Sequence, residues 1–184
     1  MRIIPYNPLH FNRCLSILKS NTPEFIDTTE ESLFINFLSR KRIIYFTVFE
    51  SEELVACGGY GYDNKKDSVV LSWGIVHNQF HKMGFGTSLL RYRLSHIMKN
   101  YPNTNIVLDT SQKTYKFYER FNFKVDKITS DFYRKGLDRY DMSFRTQHAY
   151  RYGRYTAIAR RNLRLHPKIG TALRYKARGS PAQS

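Results

Sequence analysis

Hydrophobic positions along the chain switch between two spacings, and the switches mark the elements. Arg2 to Tyr6 is a short apolar opening closed by Pro5 and Pro8, which confines a strand there to a sheet edge or to a few residues. From Leu9 to Ser20, Phe11, Cys14, Leu15 and Leu18 recur at helical spacing. A second helix is predicted by Thr28-x-x-Glu31, a capping-box pattern, ahead of Leu33, Phe34, Phe37 and Leu38. The spacing then changes. Ile43 to Glu50, Leu54 to Tyr62 and Val69 to Val76 are rich in β-branched and aromatic residues and separated by the polar turns SEE and DNKKD, which predicts an antiparallel meander. Beyond a glycine-bearing loop, Leu89, Leu90, Leu94, Ile97 and Met98 mark one face of a helix that begins near Thr87 and ends near Asn100. Asn105 to Leu108 reads as a buried strand, Ser111 to Arg120 as a helix, and Phe123 to Ile128 and Tyr140 to Phe144 as strands. The order is mixed α/β, without internal repeats.

Composition narrows this to one soluble domain: 184 residues with 41% hydrophobic content suffice for a single core. The two cysteines, Cys14 and Cys57, form no C-x-x-C pair and adjoin no histidine cluster of metal-ligand spacing, so no metal is expected. The opening MRIIPYNPLH lacks the apolar stretch of a signal peptide, and no window approaches the roughly 18 apolar residues of a membrane span. The expected location is cytoplasmic. The net charge of +15 is distributed unevenly. Ten Lys or Arg and no acid occur from Arg145 onward, which leaves twenty basic against fifteen acidic residues before it. Residues 1–145 are therefore expected to form the folded domain, and 146–184 a basic extension.

The candidate chemistry begins in WGIVHNQFHKMGFGTSLL, an apolar strand followed by a loop with Gly84 and Gly86 and then an amphipathic helix. Glycines let the backbone approach a ligand and adopt positive φ, and the unpaired N–H groups of a first helical turn bind phosphate oxygens. Lys82 and His81 add cationic character. A dinucleotide fingerprint would need glycine or alanine where Leu89 stands, and a Walker A loop would need Gly-Lys-Ser/Thr; both patterns are absent. A plain glycine-rich connection is the bland alternative.

Downstream, LDTSQKTYKFYERFNF places Phe117 and Tyr118 on a short helix that turns through Asn122 into a strand. Together, and in this order, the two segments resemble the GNAT superfamily of N-acetyltransferases. The family's Gln/Arg-x-x-Gly-x-Gly/Ala motif is matched by His81 to Gly86, and its Asn-x-x-Ala-x-x-Phe-Tyr-x-x-x-Gly-Phe motif falls on Ser111 to Phe123. His81 stands where the family has Gln or Arg, Ser111 and Thr114 replace Asn and Ala, and Asn122 replaces a turn glycine, a position asparagine tolerates.

The resemblance implies an acyl-CoA N-acyltransferase fold: a central, mostly antiparallel twisted sheet with splayed parallel strands, flanked by helices. It implies acetyl-CoA as cosubstrate, with its pyrophosphate on the amides from Met83 through Phe85 and Gly86 to Thr87, beside His81, Lys82 and Gly84. Its pantetheine arm would lie along Ile75 and Val76, and Ser111 is a further expected cofactor-binding residue. The acceptor is a primary amine of a small molecule or peptide. Tyr118 aligns with the tyrosine that serves the departing thiolate, a sensible role for a phenol that is protonated at neutral pH. For the base that deprotonates the amine, Glu31, Asp109 and His77 are candidates beside a water chain, and Trp73, Tyr60 and Tyr62 are candidates for lining the acceptor pocket. Ordinary capping and packing roles compete with each.

The extension interleaves arginine with tyrosine, a composition that pairs with phosphate and stacks on bases, so RNA or an acidic surface is a second expected partner. A disordered or partly helical tail without ligand is its alternative. A homodimer is a further expectation. Two other functional classes stay open: a CoA-binding module without catalysis, and an RNA-associated protein placed by its tail.

Overall fold

A computed structural model describes residues 1–145. The basic extension, with its RNA-binding expectation, lies outside the described residues. The elements run β1 (Arg2–Pro5), α1 (Phe11–Ser20), α2 (Glu30–Leu38), β2 (Ile44–Glu50), β3 (Glu53–Asp63), β4 (Ser68–Val76), α3 (Phe85–Asn100), β5 (Asn105–Ser111), α4 (Tyr115–Glu119), β6 (Lys124–Arg134) and β7 (Leu137–Phe144). They build one seven-stranded sheet in the order β1-β2-β3-β4-β5-β7-β6. Every pairing is antiparallel except β4 with β5. The expected mixed α/β architecture is the one found, with β1 at the edge that its proline requires.

Two cores sandwich the sheet. On one face Leu89, Leu90, Leu94 and Ile97 of α3 pack on Val69, Leu71, Ile106 and Leu108. On the other, Cys14, Ile17 and Leu18 of α1 and Phe34 and Leu38 of α2 pack on Tyr45, Cys57 and Ile75. One strand serves both because an extra residue at Trp73–Gly74 reverses its alternation: Val69 and Leu71 face α3, whereas Trp73 and Ile75, at the same odd positions, face α1 and α2.

The parallel pair positions the site. Its register is confined to Ser68 with Asn105, Val69 with Ile106 and Val70 with Val107. Beyond those residues β4 runs on to Val76 and β5 to Ser111 without pairing to each other, so the strands splay and leave backbone groups of β4 free of a ladder partner. A bulge in β4 strengthens the divergence: the pairs Cys57–Ile75 and Gly59–Ser72 set Trp73 and Gly74 against Gly58 alone, and Trp73 takes a positive φ of 46°. The Tyr45 hydroxyl donates to the Trp73 carbonyl at 2.9 Å and holds the bulge from below.

Several boundaries differ from the sequence expectation, α3 among them, which begins at Phe85 rather than near Thr87. The segment 111–120 is helical only from Tyr115, because Ser111 is the last β5 residue and pairs with Arg139 of β7. The β6–β7 hairpin extends to Arg134 and back from Leu137, longer than predicted, because most of β6 is exposed on both faces and carries no alternation to read. The N-terminal lock of α2 sits one residue earlier than predicted. Asp27 N–H donates to Glu30 Oε1 at 3.2 Å and Thr29 N–H to Asp27 Oδ1 at 2.9 Å, while Glu31 pairs with Lys19 at 3.1 Å. Asn122 has φ 66°, as its place between α4 and β6 required.

Candidate active site

The splay of β4 from β5 opens a cleft of about 820 Å³ that crosses the sheet. One end is the amino terminus of α3. Lys82 has φ 63° and Gly84 φ 91°, both left-handed, so the loop folds back where it enters the helix. The first i to i−4 bond runs from Ser88 N–H to the Gly84 carbonyl at 3.0 Å, which leaves the amides of Phe85, Gly86 and Thr87 ahead of the helical ladder. Close approach is needed at Gly86, where a methyl group would stand 3.3 Å from Val76 Cγ2 and 3.7 Å from Phe117 Cζ. Lys82, Gly84, Gly86 and Thr87 all line the cleft.

The walls come from β4, β5 and α4. Ile75, Val76, Ser111 and Tyr118 line it. The Tyr118 ring is held edge-on by Phe117 at 5.0 Å and Phe123 at 5.8 Å, and its hydroxyl makes no hydrogen bond among the described residues. A proton donor positioned by its ring with a free hydroxyl is what a leaving-group role requires.

Glu30, Asp109 and Tyr133 also line the cleft, together with Phe25, Ile26 and Trp73. Tyr133 donates to Asp109 Oδ2 at 2.7 Å, and Arg139 stands 3.8 Å from Oδ1. Burial raises the Tyr133 phenol above its ordinary range, with the Asp109 charge and hydrogen bond adding to it. Burial likewise pushes the Glu30 carboxyl up; the bond from the Asp27 amide opposes this, and the negative fields of Asp109 and Asp27 reinforce it. Across the mouth, Arg134 meets Asp27 at 3.4 Å and the Pro23 carbonyl at 3.0 Å, which ties the hairpin to the loop before α2. No group of metal-ligating side chains occurs among the described residues.

The sequence model of the GNAT acetyltransferase domain matches residues 23–146. The chain belongs to this family. GNAT structures also share its fold. A Desulfovibrio desulfuricans protein assigned to the GNAT acetyltransferases is similar at a TM-score of 0.67 and 18% identity, over 79% of this chain and 98% of that one. An aminoglycoside 6'-N-acetyltransferase complexed with coenzyme A aligns at 0.64 and 17%, over 79% and 97%. The Escherichia coli ribosomal-protein-S18-alanine N-acetyltransferase aligns at 0.66 and 16%, over 79% and 93%. No curated protein sequence matches the chain.

Against this GNAT frame the predicted site residues divide. Ile75, Val76, His81, Lys82, Gly84, Gly86, Thr87, Ser111 and Tyr118 converge on the cleft. Met83 is exposed and the Phe85 ring is buried against Phe80, and neither is among the residues that line the cleft. His81 does not offer a free imidazole: Nε2 lies 3.0 Å from the Val76 carbonyl, which also accepts from Asn21 Nδ2 at 2.9 Å, and the ring meets Phe25 edge-on. Of the expected base candidates Asp109 reaches the cleft, whereas Glu31 is paired with Lys19 and His77 accepts from the Gln79 amide. Trp73 lines the cleft, its ring backed by Phe34 and Phe37; Tyr60 and Tyr62 pack with Tyr101 elsewhere.

Glu30, Asn21, Tyr133 and Arg93 are cleft residues that sequence reasoning missed. Two had a signal. Asp27-x-x-Glu30 satisfies the capping pattern as well as Thr28-x-x-Glu31 does. Arg93 lies four residues after Leu89 and four before Ile97, on the apolar stripe of α3.

Proposed function

We propose that the protein transfers the acetyl group of acetyl-CoA to a primary amine of a small molecule or peptide, by direct attack in a ternary complex. The observation that carries this reading is the continuity of one cleft from the α3 amides, through the unpaired edge of β4, to Glu30 and Asp109. The fit of a CoA arm rests on the same features. Left-handed Lys82 and Gly84 present amides to a pyrophosphate, Gly86 keeps the approach open, and the β4 edge offers hydrogen-bonding groups to pantetheine amides. Acetyl-CoA, when bound, supplies the activated acyl carbon.

The chain's own residues do the rest. Glu30 and Asp109 attract an ammonium into the cleft, and Glu30, whose carboxyl is raised by burial, takes its proton. Asp109 is already engaged by Tyr133 and Arg139 and serves as the fixed charge beside it. Phe25, Ile26 and Trp73 exclude water on that side. At the sulfur, the Tyr118 hydroxyl donates to the departing thiolate.

A panel of amines and peptides assayed for CoA release tests the reading. Release with at least one acceptor, lost in Glu30→Gln, supports it. Binding of acetyl-CoA with no release across the panel would favour a binding module instead, and no binding at all would remove the cofactor site.

A further inference from the structure

Arg93 has no part in the chemistry above, yet it lines the same cleft with only 2% of its surface exposed. Arginine is almost never buried to this degree unless paired. Among the described residues Arg93 makes no ion pair. Its Nη1 donates to the Gly59 carbonyl at 3.3 Å, and its Nε has no partner. Missing side chains make room for the guanidinium: a methyl on Gly74 would stand 2.7 Å from Nη2, and one on Gly58 would stand 3.1 Å from Nη1. Gly58 and Gly74 are the residues that face each other across the β4 bulge, so the cation is laid against the strand where the cleft opens. A hydrophobic residue of similar volume would avoid the cost of burying it.

The surroundings specify what would satisfy it. Leu71, Leu89 and Leu108 line the cleft on the same α3 side, so aliphatic walls adjoin a planar cation with free donors. A short methylene chain ending in a carboxylate matches both, since carboxylates accept the guanidinium fork in bidentate fashion. The acidic groups belong to the other face. Leu108 packs in the α3-side core, so its neighbour Asp109 on β5 points away from α3, to Tyr133 and the field of Glu30. The cleft is therefore divided into an anionic half for the amine and a cationic wall on the acyl side.

We propose that the cleft accepts acyl-CoA donors whose acyl group ends in a carboxylate, of the malonyl and succinyl class, and that Arg93 is the residue that reads that carboxylate. This rests on the acyl-transfer reading above and extends its donor range. The bonds exchanged are unchanged: one ammonium proton passes to Glu30, the freed amine nitrogen bonds to the thioester carbonyl carbon, the carbon–sulfur bond breaks, the nitrogen gives up its second proton to water as the amide forms, and CoA leaves as the thiolate. The terminal carboxylate stays intact on the amide product.

Titration calorimetry on the full chain with acetyl-, malonyl-, succinyl-, butyryl- and pentanoyl-CoA tests this without an acceptor. Butyryl and pentanoyl match malonyl and succinyl in length and lack the charge. Malonyl- or succinyl-CoA is expected to bind at least tenfold tighter than its uncharged counterpart, and Arg93→Met is expected to erase that preference. The methionine variant exchanges an unpaired buried cation for an apolar chain, so its melting temperature should not fall. Arg93→Gln, which keeps donors without charge, should lose the preference as well. Absence of a preference in the unmutated chain overturns the proposal whatever the variants do, and so does a preference that survives in either folded variant. The acetyl-CoA arm separates the failures. If acetyl-CoA binds while the charged donors gain nothing, only the role of Arg93 falls; if no acyl-CoA binds, the transferase reading falls with it.

Discussion

Replacing Glu30 by glutamine separates its charge from its place in the fold. The Asp27 amide that donates to Glu30 Oε1 at 3.2 Å would find the glutamine carbonyl oxygen in the same place, so the entry into α2 survives. What disappears is the proton acceptor. Removing a positioned general base lowers the rate by about 10²- to 10⁴-fold. The lower end is expected here, about 2.7 kcal/mol in the barrier, because Asp109 remains in the cleft and attracts the ammonium while its own lone pairs are committed to Tyr133 and Arg139. The stability effect has the opposite sign. A carboxyl whose folded pKa lies above its unfolded value favours the native state in its protonated form, and that contribution is lost as pH rises from the unfolded value through the folded one. At neutral pH the ionised Glu30 is therefore a net cost, and Glu30→Gln should melt no lower than the parent, with any difference vanishing in acid. The assay is CoA release as a function of pH, with a melting curve on the same samples. For the parent, kcat/KM should rise with pH through an apparent pKa above the ordinary carboxylate value, the direction in which burial moves Glu30. The variant should lose that acid limb. A stably folded Glu30→Gln enzyme with the parent's kcat and the parent's acid limb refutes the assignment and returns the base to Asp109 or to water.

Tyr118→Phe should lower kcat by roughly ten- to a thousandfold with acetyl-CoA affinity little changed, because the ring contacts to Phe117 and Phe123 persist and only an unengaged hydroxyl is lost. Unaltered turnover in a stable variant, where acyl transfer limits the rate, would reduce the residue to a core aromatic. Gly86→Val would push γ-carbons toward Val76 and Phe117, already 3.3 and 3.7 Å from an added Cβ, and should weaken acetyl-CoA binding at least tenfold, about 1.4 kcal/mol. Calorimetry showing unchanged affinity in the folded variant would place the pyrophosphate elsewhere. Deleting residues 146–184 should lower affinity for single-stranded RNA and flatten its dependence on salt, measured by fluorescence anisotropy, since it removes nine of the chain's thirty Lys and Arg residues. Equal RNA binding with and without the extension would end that expectation.

How much of this was legible in the sequence depends on whether a residue's neighbours lie along the chain or across it. The change from helical to alternating spacing located the helices and the meander because that pattern is a property of consecutive residues. The glycine loop and Asn122 were readable for the same reason: positive φ is a local demand, and Gly84 and Asn122 meet it. The acidic end of the cleft was hidden by a single step of register. Two overlapping capping patterns, Asp27 with Glu30 and Thr28 with Glu31, are equally good by spacing, and only the packing of Phe34 and Leu38 under Trp73 and Tyr45 decides between them. That choice turns Glu31 outward to Lys19 and Glu30 into the cleft, so the carboxylate in the cleft and the one paired at the surface differ by one position. Tyr133 was illegible in a stronger sense, since β6 carries no alternation, and only the pairing of the hairpin to β5 through β7 brings its hydroxyl to Asp109. Arg93 is the opposite case. Its place on the apolar stripe of α3 breaks a local rule, with no carboxylate at helical spacing to excuse it. Such a break is informative because natural sequences are otherwise consistent at every level, and the exceptions collect where a ligand has to be recognised. The glycines at 58 and 74 point the same way, since side chains there would have filled the space the guanidinium occupies.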